Sequence, residues 1–176
     1  MFLERETEIE LLEGCLKNDR KCQKKLYYKY CNAMYSIAYR ILKDEEEAND
    51  SLQEAFIQVF KDLKTFRKES TIGAWIKTIV IRTALRKLKK NVFKEEIDDR
   101  AMNLPVQNSC TLTNEYIEKT ILSLPTGYRT VFLLIEVEGY THKEVAEMLN
   151  ISEGTSKSQL FYAKKHLRNL LKDLMY

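Results

Sequence analysis

The segment from Gly139 to Leu171 constrains the fold of this chain more than any other stretch. Thr141 and Glu144 have the spacing of a capping box, which predicts that a helix begins there. Asn150 is a residue type that can end a helix in the left-handed conformation, and Ser152 can cap the helix that follows. Two helices joined by such a short turn indicate a helix-turn-helix, a unit whose second helix fits the major groove of DNA.

The second predicted helix has an apolar side and a basic side. No Asp or Glu occurs from Gly154 to Lys172, whereas 5 Lys and Arg residues do. The positions that we expect to face inward are Leu160, Ala163, Leu167, Leu170 and Leu174. The positions on the opposite side are Lys157, Ser158, Phe161, Tyr162 and Lys165. The alternative is an ordinary helical hairpin, but the turn, the caps and the charge asymmetry together favour DNA binding.

Glycine and proline are scarce, and this favours helices over strands. The 176 residues include only 5 Gly and 2 Pro, the residue types that most often interrupt regular structure. Hydrophobic residues make up 44% of the chain, which is enough for a core. We therefore expect an all-α protein of one domain or two small ones.

Charge is unevenly distributed along the chain, although the net charge is only +3. From Asp44 to Glu54 there are 6 acidic residues and no Lys or Arg. From Thr71 to Lys90 there are 6 basic residues and no Asp or Glu. Such segregation suggests two partners of opposite charge.

Residue types and spacings argue against an enzyme, a metal site and a cofactor. The 4 Cys have no CxxC or Cys/His spacing, only 2 His occur, and no Gly-rich phosphate loop is recognisable. We interpret His142 as an exposed residue at a helix N-terminus. No signal peptide is recognisable, and no apolar run reaches the roughly 18 residues of a membrane span. We therefore expect a cytoplasmic protein with reduced thiols.

Helical periodicity divides the chain into two domains joined by a linker. Residues 91–111 have no sustained pattern and contain Pro105, so we interpret them as a flexible linker. The first domain, residues 1–90, is predicted to contain helices at Glu6–Lys17, Arg20–Leu42, Glu45–Leu63 and Thr71–Lys90. The second domain, residues 112–176, is predicted to contain the helix-turn-helix preceded by helices at Asn114–Leu124 and Arg129–Glu138.

Two interpretations are open at several apolar or aromatic positions. VFLLIEV, at residues 131–137, has the composition of a strand, although a helix packed under the following pair suits it better. Trp75 could be a stacking platform, but its apolar neighbours favour a core position. Core and boundary packing is the better explanation for the tyrosines of the second helix, which are Tyr27, Tyr28, Tyr30, Tyr35 and Tyr39.

Three motifs, in order along the chain, resemble the extracytoplasmic-function (ECF) group of bacterial sigma factors. The acidic region 2.2 of that family is similar to DEEEANDSLQEAFIQVF. Its regions 2.3 and 2.4 are similar to FRKESTIGAWIKTIVIRTALRKLKK, with the tryptophan and the basic end in place. Its region 4 is similar to LPTGYRTVFLLIEVEGYTHKEVAEMLNISEGTSKSQLFYAKKHLR. The resemblance extends over nearly the entire chain apart from the linker.

The resemblance implies a non-catalytic subunit that binds core RNA polymerase and recognises promoter DNA. Asp50, Gln53 and Glu54 would contact the clamp helices of the polymerase beta-prime subunit. A loop and the basic end of a helix would bind and open the −10 element, by capturing a flipped base and contacting phosphates. The residues implied for this role are Phe66, Arg67, Lys68, Ser70, Arg82, Arg86, Lys89 and Lys90.

The resemblance also implies that the second domain reads the −35 element and touches the polymerase beta flap. The DNA-reading positions of the family correspond to Lys157, Ser158, Phe161, Tyr162 and Lys165. Lysine and serine can hydrogen-bond base edges or phosphates, Phe161 can pack on a thymine methyl group, and the Tyr162 hydroxyl can reach a phosphate. The chain departs from the common family residues at Gln159, Tyr162, Ile135 and Arg82, so we expect an upstream DNA contact that is weaker or has a different sequence preference.

A second hypothesis is a regulator that binds DNA alone, as a dimer, through the same helix-turn-helix. It requires a dimer interface and a palindromic site, and it leaves the acidic helix and the helix of Trp75 without a role. The family resemblance also allows an anti-sigma factor as a partner, held between the two tethered domains, although no residue in the chain demands one.

Overall fold

The computed structural model describes residues 8–92 and 114–172, and every regular element within these ranges is helical. The all-α prediction is therefore confirmed. Two compact units meet in the sequence between Leu88 and Lys89. Most of the predicted linker, residues 93–111, lies outside the described residues, as does Leu174.

The described part of the first unit, residues 8–88, contains four helices joined by short connections. They are α1 at Glu8–Leu16, α2 at Arg20–Leu42, α3 at Glu45–Asp62 and α4 at Ile72–Val92, which continues past the end of the unit. A short 3-10 segment at Leu63–Thr65 follows α3. Each of the four helices corresponds to one that periodicity predicts.

Side-chain caps fix where the two central helices begin. The Asp19 carboxylate accepts a hydrogen bond from the Lys21 backbone N–H at 2.7 Å, and the Asp44 carboxylate accepts one from Glu47 at 2.8 Å. α2 ends at Lys43, which is left-handed at φ 58°. Because caps satisfy N–H groups that have no partner inside a helix, they set the start of α2 and of α3.

The apolar residues of α3 and the residue after it recur at helical spacing, and this stripe lies in the core of the first unit. The buried members of the stripe are Leu52, Ala55, Phe56, Val59 and Leu63, and Phe60 is half-buried. α2 and α4 supply further fully buried side chains, which include Leu26, Ala38, Ile41, Ile76 and Val80. Full burial of each large aliphatic side chain stabilises the fold by about 1.5–3 kcal/mol. The opposite side of α3 is consequently left to solvent.

Two aromatic residues of the first unit do not lie where the sequence suggests. Trp75 is half-buried and packs on Phe66, with ring centroids 5.5 Å apart, so its prediction as a core residue is wrong. Ile72 and Ile76 occupy the core on that helix instead. Tyr28 is 63% exposed, so packing does not explain this tyrosine.

Residues 114–172 of the second unit form four α-helices and one π-helical segment. They are α5 at Asn114–Ser123, α6 at Thr126–Phe132, a π-helical segment at Leu133–Val137, α7 at His142–Leu149 and α8 at Glu153–Lys172. The VFLLIEV segment is therefore helical, which confirms the preferred interpretation. Gly139, at φ 81°, follows the π-helical segment with a backbone conformation that suits glycine.

The core of the second unit forms where α5 and α6 pack against α8. Leu124, Ala163 and Leu167 are buried together, with Tyr128 and Phe132 packed beside them. Arg129 is also buried, and its guanidinium donates a hydrogen bond to the Leu124 carbonyl at 3.0 Å. Burial lowers the pKa of Arg129 from its ordinary value. This packing places the outer side of α8 in solvent.

Candidate protein and nucleic-acid interfaces

The exposed side of α3 forms an acidic surface with an apolar end. Asp50, Gln53 and Glu54 are exposed, and Ile57 follows them at 56% exposure. These four residues are spaced i, i+3, i+4 and i+7, so they form one continuous stripe along the helix. Ile57 was not predicted from the sequence as part of this surface. Its position could have indicated it, because Ile57 does not fall at the helical spacing of the buried apolar residues of α3.

The carboxylates of this surface converge on the Lys87 ammonium of α4. Lys87 Nζ lies 3.1 Å from Glu54 Oε1, 3.6 Å from Glu47 Oε2 and 3.7 Å from Asp50 Oδ2. The second carboxylate oxygen of Glu54 accepts a hydrogen bond from the Arg86 guanidinium at 2.9 Å. The Lys87 side chain is only 15% exposed, whereas those of Glu54 and Asp50 are 48% and 58% exposed.

The pairing shifts the pKa of both main partners. The hydrogen bond from Lys87 lowers the pKa of Glu54, and the positive charges of Lys87 and Arg86 add to this effect against the opposing effect of burial. Burial acts to lower the pKa of Lys87, but the hydrogen bond to Glu54 and the three nearby carboxylates outweigh it and raise that pKa. Because the pKa of Glu54 is lowered on folding, its pairing stabilises the unit above the ordinary pKa of 4.5 and is lost as pH falls through the lowered value.

Some of the acidic and basic residues that are separated in the sequence are therefore paired with each other within the first unit. Arg86, a predicted −10 DNA contact, is paired with Glu54, a predicted polymerase contact. The same glutamate also holds Lys87, for which the sequence suggested no role. The basic segment from Thr71 to Lys90 thus contains both cations that serve α3 and cations that remain for an external partner.

The loop between the 3-10 segment and α4 places its polar residues in solvent. Arg67, Lys68 and Ser70 are exposed, and Lys68 is left-handed at φ 60°. The Thr71 hydroxyl accepts a hydrogen bond from the Ala74 backbone N–H at 3.2 Å, which caps the start of α4. Phe66 is half-buried against Trp75 and closes one side of the loop.

The predicted DNA-contacting cations of α4 are all exposed. They are Arg82, Arg86, Lys89 and Lys90, and they follow the loop along the same helix. Arg82 forms no ion pair with any described residue, whereas Arg86 is held by Glu54. Exposed cations on a helix can contact phosphates without reading sequence.

The turn of the helix-turn-helix is built as the sequence predicts. The Thr141 hydroxyl accepts a hydrogen bond from the Glu144 backbone N–H at 3.3 Å, and the Glu144 carboxylate accepts one from the Thr141 backbone N–H at 2.8 Å. Asn150 ends α7 in the left-handed conformation at φ 58°. The Ser152 hydroxyl accepts a hydrogen bond from the Thr155 backbone N–H at 2.9 Å at the start of α8. The capping box, the left-handed end and the second cap are all confirmed.

α8 separates its residues into the two predicted sides. The inward positions Leu160, Ala163 and Leu167 are buried and Leu170 is half-buried. The predicted DNA-reading positions are all exposed: Lys157, Ser158, Phe161, Tyr162 and Lys165. The Ser158 hydroxyl donates a hydrogen bond to the Gly154 carbonyl at 3.0 Å, so it would have to rotate to reach DNA.

Aromatic rings extend the exposed side of α8 onto α6. Phe161 is 64% exposed and Tyr162 is 47% exposed, and their rings meet edge to face with centroids 5.5 Å apart. The Tyr162 ring is also stacked on Tyr128 of α6 at 6.0 Å. Because these contacts restrict the Tyr162 ring, its hydroxyl is positioned before any ligand arrives.

His142 has a structural role that the sequence did not reveal. It is half-buried, and its Nδ1 lies 2.9 Å from the hydroxyl oxygen of Ser156, which is completely buried in α8. The interpretation of His142 as a merely exposed residue is therefore wrong. The contact ties the first turn of α7 to the first turn of α8 and so fixes the two helices of the motif relative to each other.

Replacing His142 by alanine is expected to destabilise the second unit by about 1–3 kcal/mol, because the buried Ser156 hydroxyl loses this hydrogen-bonding partner. Thermal unfolding followed by circular dichroism measures the loss. The adjacent exposed Lys143→Ala is the control. Since the two groups act as a pair, the double variant His142→Ala/Ser156→Ala should lose less than the sum of its single variants. Strict additivity would contradict the coupling.

Neither a metal site nor a membrane span is found in the part of the chain that the structure describes. Within residues 8–92 and 114–172, no cluster of three or more His, Cys, Asp or Glu could hold a metal ion. None of the helices described there combines the length and apolarity that crossing a bilayer requires.

Two family models match the two halves of the chain. Sigma-70 region 2 matches residues 26–93, and sigma-70 region 4 matches residues 114–167, so together they cover well over half of the sequence. The chain belongs to the sigma-70 family. The region 2 match includes the acidic surface of α3 and the basic end of α4, and the region 4 match includes the helix-turn-helix.

Curated relatives place this sigma-70 protein in the ECF group. It is 28% identical to RNA polymerase sigma-H factor of Pseudomonas aeruginosa over 99% of this chain and 98% of the relative. It is 25% identical to ECF RNA polymerase sigma-E factor of Haemophilus influenzae, over 96% of this chain and 97% of the relative. It is 27% identical to ECF RNA polymerase sigma factor SigW of Bacillus subtilis, over 82% and 86%.

Solved structures share the fold of this sigma factor. The sigma factor RpoE from Bartonella quintana, solved with the anti-sigma factor NepR, matches with a TM-score of 0.56 and 21% identity, over 85% of this chain and 96% of that one. CnrH, solved with the cytosolic domain of CnrY, matches with a TM-score of 0.52 and 20% identity, over 93% and 96%. At these identities, the similarity establishes the fold.

Proposed function

We propose that this ECF-type RNA polymerase sigma factor binds its partners through three separate surfaces. The protein binds core RNA polymerase, recognises the −10 and −35 promoter elements and promotes transcription initiation; it is not an enzyme. The observation that supports the surface assignments best is exposure. The predicted contact residues lie in solvent on α3, on α4 and the loop before it, and on α8, apart from Phe66, while the residues between them form the core.

In this proposal the acidic surface of α3 contacts the clamp helices of the polymerase. Asp50, Gln53 and Glu54 provide the polar contacts, and Ile57 provides an apolar centre next to them. An exposed apolar residue flanked by polar ones is a common composition for a binding surface. We expect Glu54 to exchange its contact with Arg86 for one with a polymerase cation, since Arg86 is mostly exposed.

The loop and the basic end of α4 would bind the −10 element. Arg67, Lys68 and Ser70 provide a polar rim for an extruded base, and Phe66 packed on Trp75 provides a fixed aromatic wall. Arg82, Lys89 and Lys90 contact phosphates of the strand. Holding an extruded base stabilises the opened state of the duplex, so melting requires no hydrolysis by this chain.

The exposed side of α8 would read the −35 element in the major groove. Lys157 and Ser158 lie in the first turns of the helix, where a recognition helix meets base edges. Phe161 and Tyr162 follow one turn later, one for a thymine methyl group and the other for a phosphate.

We further propose a cytoplasmic location, where polymerase and promoters are found, and an anti-sigma factor as a candidate regulator.

Reconstitution with core RNA polymerase tests the proposed function directly. The tagged full chain should retain core polymerase in a pull-down, and adding it to core enzyme should produce run-off transcripts from its own promoters. A dimeric regulator that binds DNA alone would not confer initiation on core enzyme. Failure of the chain to bind core polymerase would exclude the sigma-factor function.

A further inference from the structure

One basic surface of the first unit has no role in the proposed function. The whole of α2, from Arg20 to Leu42, contains no Asp or Glu. Lys21, Lys24, Lys25 and Tyr28 lie at i, i+3, i+4 and i+7, which places them on one side of this helix. They line a single shallow depression, together with Lys29. We call these four residues the α2 surface.

Tyr28 is the unusual member of the α2 surface. Its ring is 63% exposed, whereas the neighbouring Tyr27 packs edge-on against the core residue Phe56 with ring centroids 4.8 Å apart. Tyr27 also contacts the Tyr28 ring edge to face at 5.6 Å, and the Lys24 ammonium lies 5.7 Å from the Tyr28 ring centroid. An exposed aromatic ring that is held in place by neighbouring side chains can serve as a platform for stacking.

Not every charge near Tyr28 is available to a ligand. Lys29 is paired with Glu8 at 3.1 Å, whereas the nearby Asp19 carboxylate accepts its capping hydrogen bond from the Lys21 backbone N–H and not from the Lys21 ammonium. Lys21 and Lys24 extend into solvent on the same side as the Tyr28 ring. The α2 surface therefore combines an exposed ring with at least two exposed ammonium groups.

We propose that the α2 surface binds single-stranded DNA, with Tyr28 stacked on a base and Lys21 and Lys24 paired with phosphates. The inference rests on the proposed function, since an opened promoter is the source of the single strand. A supported aromatic ring between lysines is the combination that single-strand binding sites use. Duplex DNA is a poorer fit, because its bases are already stacked on each other and the Tyr28 ring would have no base to bind. An acidic protein is also a poorer fit, because it would pair with the lysines and give the exposed ring no role.

Fluorescence anisotropy with the full chain tests this proposal. The probe is a fluorescein-labelled single-stranded DNA oligonucleotide of mixed sequence, compared with its duplex at several salt concentrations. Tyr28→Ala should weaken single-strand binding roughly tenfold with little change in salt dependence, and Tyr28→Phe should retain the affinity. Lys21→Gln/Lys24→Gln should reduce the slope of log affinity against log salt by about 1.4, since each phosphate contact on a single strand contributes about 0.7.

The matched control is Lys61→Gln/Lys143→Gln, which removes the same charge from exposed positions on α3 and α7. Circular dichroism confirms that each variant is folded. Equal effects in the control and the α2 variants, or unchanged single-strand binding by the α2 variants, would overturn the proposal. Loss of core polymerase binding with unchanged single-strand binding would overturn it in favour of an acidic protein partner. A wild-type chain that binds the oligonucleotide but not core polymerase would instead refute the sigma-factor function.

Discussion

Replacing Asp50 and Glu54 together by lysine is expected to abolish binding to core RNA polymerase. Both carboxylates lie on the exposed side of α3, and the new ammonium groups would face a polymerase surface that is complementary to negative charge. Like charges brought together across an interface cost several kcal/mol, which corresponds to a loss of at least about a hundredfold in affinity. A binding titration of labelled protein with core polymerase measures this change.

The ion pairs with α4 make the choice of variants important. Glu54→Lys adds a third cation beside Arg86 and Lys87, so the double variant can lose stability as well as contacts. Asp50→Lys alone removes a longer contact, at 3.7 Å, and disturbs the unit less. Glu54→Gln keeps the shape of the side chain and removes only its charge. These two single variants separate a lost interface from a lost fold.

Glu45→Lys is the matched control for this experiment. Glu45 is exposed on the same helix and undergoes the same change of charge, but it lies outside the stripe that contains Asp50 and Glu54. We expect it to bind core polymerase as the unmodified chain does. Normal holoenzyme assembly by folded Asp50→Lys/Glu54→Lys would refute the assignment of this surface.

Replacing Lys157 and Ser158 together by alanine is expected to reduce −35-dependent transcription about tenfold or more. Each good contact to a base edge contributes about 1–3 kcal/mol of discrimination, and both side chains are exposed on the first turns of α8. Run-off transcription from a promoter with an intact −35 element, compared with one whose element is scrambled, measures the effect. The unmodified protein should distinguish the two templates, and the variant should not.

Lys164→Ala is the control for charge on the same helix. The Lys164 ammonium is held by Glu136 at 2.8 Å, so it is committed to the second unit and not to DNA. This variant should retain promoter choice, and all variants should still bind core polymerase through the acidic surface of α3, since they leave the first unit unchanged. Unchanged discrimination by Lys157→Ala/Ser158→Ala would show that another face reads the element.

Local sequence patterns predicted most of the fold because they act over short distances along the chain. The capping box at Thr141 and Glu144 and the left-handed Asn150 each depend on a few neighbouring residues. The apolar stripe of α3 is periodic over the whole helix, and its buried members follow that period. Such signals fix where helices begin, where they end and which side is buried.

Those local patterns could not predict contacts between residues that are far apart in the sequence. The pairing of Glu54 with Lys87 joins α3 to α4, and the contact of His142 with Ser156 joins α7 to α8. The exposure of Ile57 and Tyr28 likewise depends on which neighbours pack beside them. No spacing rule within one helix predicts such events, because their partners come from another element.

The sequence by itself determined that this chain is helical, that its second half carries a helix-turn-helix and that it resembles ECF sigma factors. The tertiary structure alone decided how the charges are shared, by joining Arg86 and Lys87 to the acidic surface and leaving Arg82 to solvent. The physical reason is one of range. Caps and periodic burial act within a helix, whereas an ion pair forms only after packing has brought two helices within a few ångströms of each other.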